Sequence, residues 1–201
     1  MLGASQRIDQ TERADRLRAG CRWPHNPRMP TASLQRLIRD VPDHPKPGIL
    51  FKDITPLLRD PAGLALAVEL MANPFRNAHI DVVAGAESRG FIFGTAVAQA
   101  LSCGFVPIRK KGKLPPPVRS FTYDLEYGTD TLEVRDDAVG PGQRVLLVDD
   151  LLATGGTLAA CAQLIRSLGA TVVGATVLIE LPALDGRKAL PGLDVHAPIA
   201  Y

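Results

Sequence analysis

Val145-Leu-Leu-Val-Asp-Asp-Leu-Leu-Ala-Thr-Gly-Gly-Thr157 is the stretch that decides how this chain folds. Val145 to Val148 are four apolar residues in a row, the pattern of a strand buried on both faces, and they run into two carboxylates, Asp149 and Asp150. After Leu151 and Leu152 come a loop of small residues, Ala153 to Thr157, and a helical pattern from Leu158 to Leu168 that Gly169 ends. Strand, acidic pair, loop and helix follow without a gap.

Each part has a chemical use. Gly155 and Gly156 can take backbone angles closed to other residues, so successive N–H groups can turn inward as an anion nest. A helix starting there adds unpaired N–H groups and its positive dipole end, and Thr154 and Thr157 add hydroxyls. Carboxylates at a strand end accept hydrogen bonds from a vicinal diol such as a ribose, or help to hold Mg²⁺. A phosphate, a sugar diol and a metal are thus suggested together. Taken singly, the same residues also describe a Thr-capped helix start with solvated aspartates. A Walker A loop is excluded, because neither this stretch nor Gly85-Ala-Glu-Ser-Arg-Gly90 carries its lysine, and no G-x-G-x-x-G opens a helix.

Val148 to Thr157 resembles the phosphoribosyl diphosphate (PRPP) motif of the type I phosphoribosyltransferases. That resemblance implies that Ala153, Thr154, Gly155, Gly156 and Thr157 bind the 5′-phosphate of PRPP, and that Asp149 and Asp150 bind its ribose. It also implies Mg²⁺ as cofactor, held mainly by PRPP near Asp149 and Asp150 rather than by a dedicated metal site.

Working outward, Ile80 to Gly85 reads as a buried strand, followed by a loop and a helix to about Leu101. Arg89 in that loop can grip a phosphate through paired donors, or simply cap the corner in solvent. Gly85-Ala-Glu-Ser-Arg-Gly-Phe91 resembles the family's pyrophosphate loop, which implies that Ser88 and Arg89 contact pyrophosphate. After a short strand from Phe105 to Ile108, Arg109-Lys-Lys-Gly-Lys113 packs four positive charges into five residues. From charge alone this is a solvated basic turn. By resemblance, Arg109, Lys110 and Lys113 attract the same pyrophosphate, in their own subunit or in a neighbour's site.

Two further stretches resemble the adenine phosphoribosyltransferases within that family. Three prolines and a glycine between Pro42 and Gly48 bar a helix and impose an ordered, extended loop after a helix at Leu34 to Arg39. The loop's apolar Ile49, Leu50 and Phe51 need cover, which core packing alone would also give. The resemblance makes this segment a hood over the base, with Leu50, Phe51 and Lys52 near adenine, and makes Leu181 an apolar contact to the base, although core packing would also explain Leu181. Phe121 to Val134 alternates like a hairpin, with its turn at Gly128 to Asp130. Its Tyr-x-Leu-Glu-Tyr-Gly string, 123 to 128, resembles the adenine enzymes' flap. That likeness makes Glu126 the catalytic acid-base residue and Tyr127 part of a mobile lid, although an acid on a hairpin's polar face is commonly just solvated.

Strands alternating with helices predict an α/β domain: a doubly wound, mainly parallel sheet with helices on both faces, plus the N-terminal hood and a flexible β-hairpin flap. Residues 1–30, with six arginines among three acids, read as a disordered extension, and Met29 is an alternative initiator. Residues 31–201 form the catalytic domain, with the hood at 31–58 and the flap at 117–135. A net charge of +2 without clustering argues against nucleic acid as a partner. Three widely spaced cysteines suggest a reducing compartment and no zinc site, and no apolar run reaches membrane-spanning length. The expectation is a cytoplasmic homodimer acting on adenine and PRPP. The rivals are a phosphoribosyltransferase for another purine and a regulatory protein that only senses nucleotides.

Overall fold

The computed structural model describes residues 31–124 and 128–201. The expected extension at 1–30, and Glu126 and Tyr127 of the flap, lie outside the described residues.

The described chain opens with helix α1 (Thr31–Gln35) and two short strands, β1 (Arg39–Val41) and β2 (Phe51–Asp53), which pair antiparallel with Asp40 opposite Lys52. The expected helix through Arg39 is corrected here, as is the expectation that Phe51 belongs to the loop. Pairing satisfies backbone groups on either side of a proline-rich segment that cannot satisfy them as helix. Helices α2 (Thr55–Arg59) and α3 (Pro61–Ala72) follow. Asp60 caps α3, its carboxylate accepting from the Gly63 N–H at 2.6 Å, with Pro61 at the first helical position where no N–H is needed.

Next come β3 (Val82–Ala86), α4 (Gly90–Leu101) and β4 (Gly104–Lys110). The hairpin β5 (Val118–Asp124) and β6 (Thr129–Arg135) leads to β7 (Arg144–Leu152), α5 (Gly156–Ser167) and β8 (Thr171–Glu180). Beyond β8 lie two 3-10 turns, Pro182–Leu184 and Gly186–Ala189, then β9 (Val195–His196) and β10 (Ile199–Ala200). The hairpin register pairs Asp124 with Thr129, so Thr129 and Asp130 belong to β6 and not to the turn where the sequence reading put them.

One sheet runs in the order β10-β8-β7-β3-β4-β6-β5, with β9 also on β8. The pairs among β10, β8, β7, β3 and β4 are parallel, and those of β6 with β4 and β5 are antiparallel. The apolar run of β7 serves both faces: Val145 and Leu147 pack with α5, Leu146 and Val148 with α3 and α4. All four are fully buried. Each such side chain contributes roughly 1.5–3 kcal/mol, which makes the strand carrying the acidic pair the most firmly fixed part of the site.

Between β3 and β7 the winding reverses. α4 leaves the end of β3 toward one face, burying Phe93 and Val97, while α5 leaves β7 toward the other, burying Leu158 and Leu164. The loops after these two neighbouring strands therefore diverge and open a crevice at their carboxyl ends, the place where open parallel sheets bind ligands.

Candidate active site

The crevice is a cavity of about 1650 Å³. Ala153 to Thr157 line it beside Asp149 and Asp150, with Ser88, Arg89 and Lys110 from the neighbouring corners. Leu50 and Lys52 line it from the hood and Leu181 from the end of β8. Phe51, Arg109 and Lys113 do not line it.

The loop after β7 has the backbone of an anion site. Gly155 sits at φ +83°, where a side chain would be strained, and α5 begins directly after it at Gly156, two residues ahead of the expected start. No side chain caps this helix, so its first-turn N–H groups stay available to a ligand. The loop is held from behind by the first residues beyond β8. A β-carbon on Gly186 would overlap the Ala153 carbonyl oxygen, and one on Gly155 would overlap the Gly186 carbonyl. Two backbones thus meet with no room for a side chain, a role for Gly186 that no motif signals.

Asp149 and Asp150 are buried at the end of β7, 9% and 5% exposed. Asp149 Oδ1 accepts from the Asp150 N–H at 2.9 Å. Burial, and then the neighbouring Asp150 charge, holds the Asp149 carboxyl well above the usual carboxylate range. Burial also raises Asp150, against the opposing pull of Arg89. Arg89 Nε stands 2.7 Å from Asp150 Oδ2, yet that oxygen receives no well-directed hydrogen bond. A buried acceptor with charge nearby but no aligned donor fits a ligand hydroxyl or a cation. Among the described residues no three metal-ligating side chains cluster. Mg²⁺ fits all the same, since it takes one or two carboxylates and completes its shell with water and phosphate oxygens.

Glu87 organises the basic side. Its Oε2 accepts from the Lys110 N–H at 2.9 Å and lies 3.3 Å from Arg109 Nε. Burial pushes the Glu87 carboxyl up, but these bonds prevail and hold it below the usual value. Arg109 is turned toward Glu87 and the Lys113 carbonyl, with its guanidinium 6.0 Å from the centre of the Phe91 ring. The Gly112 N–H donates to Glu133, and Lys110 Nζ pairs with Asp130 at 3.3 Å. A run read from charge as a basic turn is thus shaped by three acids on other strands and loops.

On the hood side, Lys52 is 7% exposed, donates to Asp40 Oδ1 at 2.7 Å and lies 3.7 Å from the centre of the Tyr201 ring. Phe51 lies outside the lining, its ring edge-on to His44 and 5.0 Å from the Arg89 guanidinium carbon.

A phosphoribosyl transferase domain model matches residues 53–191. The chain belongs to the phosphoribosyltransferase family. Among its relatives is an adenine phosphoribosyltransferase of Methylococcus capsulatus, 58% identical over 168 residues, which are 84% of this chain and 98% of the relative. The crystal structure of adenine phosphoribosyltransferase from Thermoanaerobacter pseudethanolicus superposes with a TM-score of 0.83 at 49% identity, covering 85% of this chain and 99% of that one. The Saccharomyces cerevisiae enzyme, complexed with an imino-altritol bisphosphate and adenine, gives 0.79 at 37% identity over 84% of this chain and 97% of that one.

Within this phosphoribosyltransferase, sequence reasoning missed several cavity-lining residues. Lys46 and Ile49 stand in the hood, Glu87 in the corner after β3, and Ala183, Leu184 and Tyr201 beyond β8. The carboxylate of Glu87 lies inside the Gly85–Phe91 motif, which is the signal that reveals it. The stretch after Leu181 has no periodicity that would reveal Ala183, Leu184 and Tyr201.

Proposed function

We propose that the protein transfers the 5-phosphoribosyl group of PRPP to adenine, giving AMP and diphosphate, in purine salvage. One observation carries the proposal: an anion loop at a helix start, a buried acidic pair and an apolar hood all line one cavity. Identity of 58% to an adenine phosphoribosyltransferase supports the choice of base.

Ala153 to Thr157 anchor the 5′-phosphate through first-turn N–H groups and hydroxyls. Asp149 and Asp150 accept the ribose hydroxyls, so the sugar is held with C1′ toward the hood. Leu50 and Leu181 line the base side of the cavity, where a flat, largely apolar purine would lie. Phe51 and Lys52 support that side, Phe51 from outside the lining. Ser88, Arg89 and Lys110 face the diphosphate, and Arg109 and Lys113 add positive potential from the same basic loop. As the C1′–O bond breaks, negative charge grows on the leaving diphosphate while the ribose gains oxocarbenium character. The cations gain more at that moment than with intact PRPP, and that difference lowers the barrier. Mg²⁺, held by PRPP oxygens beside Asp149 and Asp150, would supply further neutralisation of the diphosphate. Glu126, assigned from its motif, exchanges a proton with the purine imidazole so that N9 can attack, and Tyr127 belongs to the lid that keeps water out.

The domain layout follows the same reading: a phosphoribosyltransferase domain at 31–201, with the hood at 31–58 and the flap at 117–135. So do a homodimer and a cytoplasmic location. The test is formation of AMP by the purified protein from adenine, PRPP and Mg²⁺. PRPP binding without turnover would instead make it a nucleotide-sensing protein.

A further inference from the structure

Tyr201 belongs to none of the motifs, yet the fold builds it into the base end of the cavity. Ile199 and Ala200 pair with Ile179 and Glu180 on β8, and the Tyr201 N–H donates to the Glu180 carbonyl at 3.2 Å. The ring, 41% exposed, lines the cavity together with Ile49, Leu50, Lys52 and Leu181. Its face meets Lys52 Nζ, 3.7 Å from the ring centre.

Lys52 is the middle residue of β2, and its ammonium is nearly buried. A buried ammonium needs compensation. Asp40, directly opposite on β1, gives a carboxylate at 2.7 Å, but that side chain is 54% exposed and screened by water. The aromatic face of Tyr201 supplies attraction from another direction. Lys52 therefore links the small β1–β2 sheet to the edge of the main sheet. The segment before β2 is closed largely on itself: His44 N–H donates to the Ile49 carbonyl, Ile49 N–H to the Lys46 carbonyl and Gly48 N–H to Asp43. It carries Ile49 and Leu50, 44% and 48% exposed toward the cavity mouth, and leads directly into β2.

We propose that Tyr201 is a positioning residue for the base: by capping Lys52 it fixes β2, and with it the spacing between Leu50 and Leu181 that a purine fills. This rests on the reading of the cavity as an adenine site. The anion loop leaves the same carboxyl end of the sheet but from β7, two strands in from β10, and is braced by Gly186 and not by this contact, so the effect falls on the base and not on PRPP.

The experiment compares Tyr201→Leu and Tyr201→Phe with the wild type, varying adenine and PRPP in turn, and follows amide exchange of Phe51–Asp53 in the ligand-free protein. Loss of a desolvated cation–π contact is expected to raise the KM for adenine about tenfold in the Leu variant, with the PRPP KM changed less than about twofold. The Phe variant keeps the ring and restores the wild-type KM, and only the Leu variant exchanges faster at Phe51–Asp53. Lys52→Met combined with Tyr201→Leu should lose little more than Lys52→Met alone, because the lysine substitution already removes the contact with the ring. An unchanged adenine KM, an equal rise for both substrates, or a Phe variant that behaves like Leu would each overturn the proposal. A wild type that makes no AMP would remove the adenine reading, while the exchange result would still decide whether Tyr201 holds β2.

Discussion

Arg89 Nε stands 2.7 Å from Asp150 Oδ2, joining the corner after β3 to the acidic pair at the end of β7. The Asp150 side chain is 7% exposed and Arg89 36%, so the pair bridges the buried floor of the crevice and its open mouth. Burial raises the Asp150 carboxyl and Arg89 draws it back, which helps keep a sugar-binding carboxylate ionised in a poorly solvated place.

Arg89→Gln removes that pull. Asp150 then needs a higher pH to ionise, so the acid limb of the kcat/KM profile for PRPP is expected to move upward. The plateau should fall about 10²–10³-fold, as for loss of a charge-stabilising donor. A pH–rate series checks both, and a lower plateau with an unmoved limb would show that Arg89 serves the diphosphate without tuning Asp150.

Gly186→Ala places a methyl group against the Ala153 carbonyl and 2.9 Å from the Leu152 side chain. Overpacking of this kind costs about 1–3 kcal/mol, here taken up by the phosphate loop, so the KM for PRPP should rise about tenfold or more while that for adenine changes little. Steady-state kinetics with each substrate varied would show the split.

Glu180 and Arg187 make a two-pronged ion pair at 2.7 Å for each contact, and Arg187 also donates to the Val195 carbonyl. The arginine's hydrogen bond holds Glu180 below the ordinary glutamate value of 4.5. Its contribution to stability is therefore full above that value and is lost as the pH falls through the lower folded value. Glu180→Gln is expected to melt at a lower temperature than wild type at neutral pH, with the gap closing in acid. Melting curves across pH would test it, and a gap that persists in acid would mean the pair acts through packing.

Glu126→Gln is expected to lower kcat by about 10²–10⁴-fold, the range for lost acid-base assistance, with PRPP affinity unchanged. Equal losses in turnover and in PRPP affinity would move Glu126 to a binding role.

What could be read from the residues was the set of features that are local in sequence. Val145 to Val148 and the two aspartates announce a buried strand ending in charge, because burial on both faces demands an unbroken apolar run. The phosphate loop is likewise continuous. The hood's β1–β2 pairing was hidden because three residues are too few to show alternation, and a helical pattern at Leu34 ran on past its true end at Gln35. The hairpin turn ends earlier than its residues suggest, because pairing resumes at Thr129, directly after Gly128 at φ +95°. Contacts made across the fold leave no local trace: Glu87 holding Arg109, Gly186 packed on Ala153, and Tyr201 over Lys52.

The most direct measurement is a competition assay with PRPP and Mg²⁺, offering adenine, hypoxanthine and guanine together and identifying the nucleotide formed. The account predicts AMP with little product from the other two bases. Preferential formation of IMP or GMP would keep the phosphate chemistry and contradict the reading of the hood side as an adenine site.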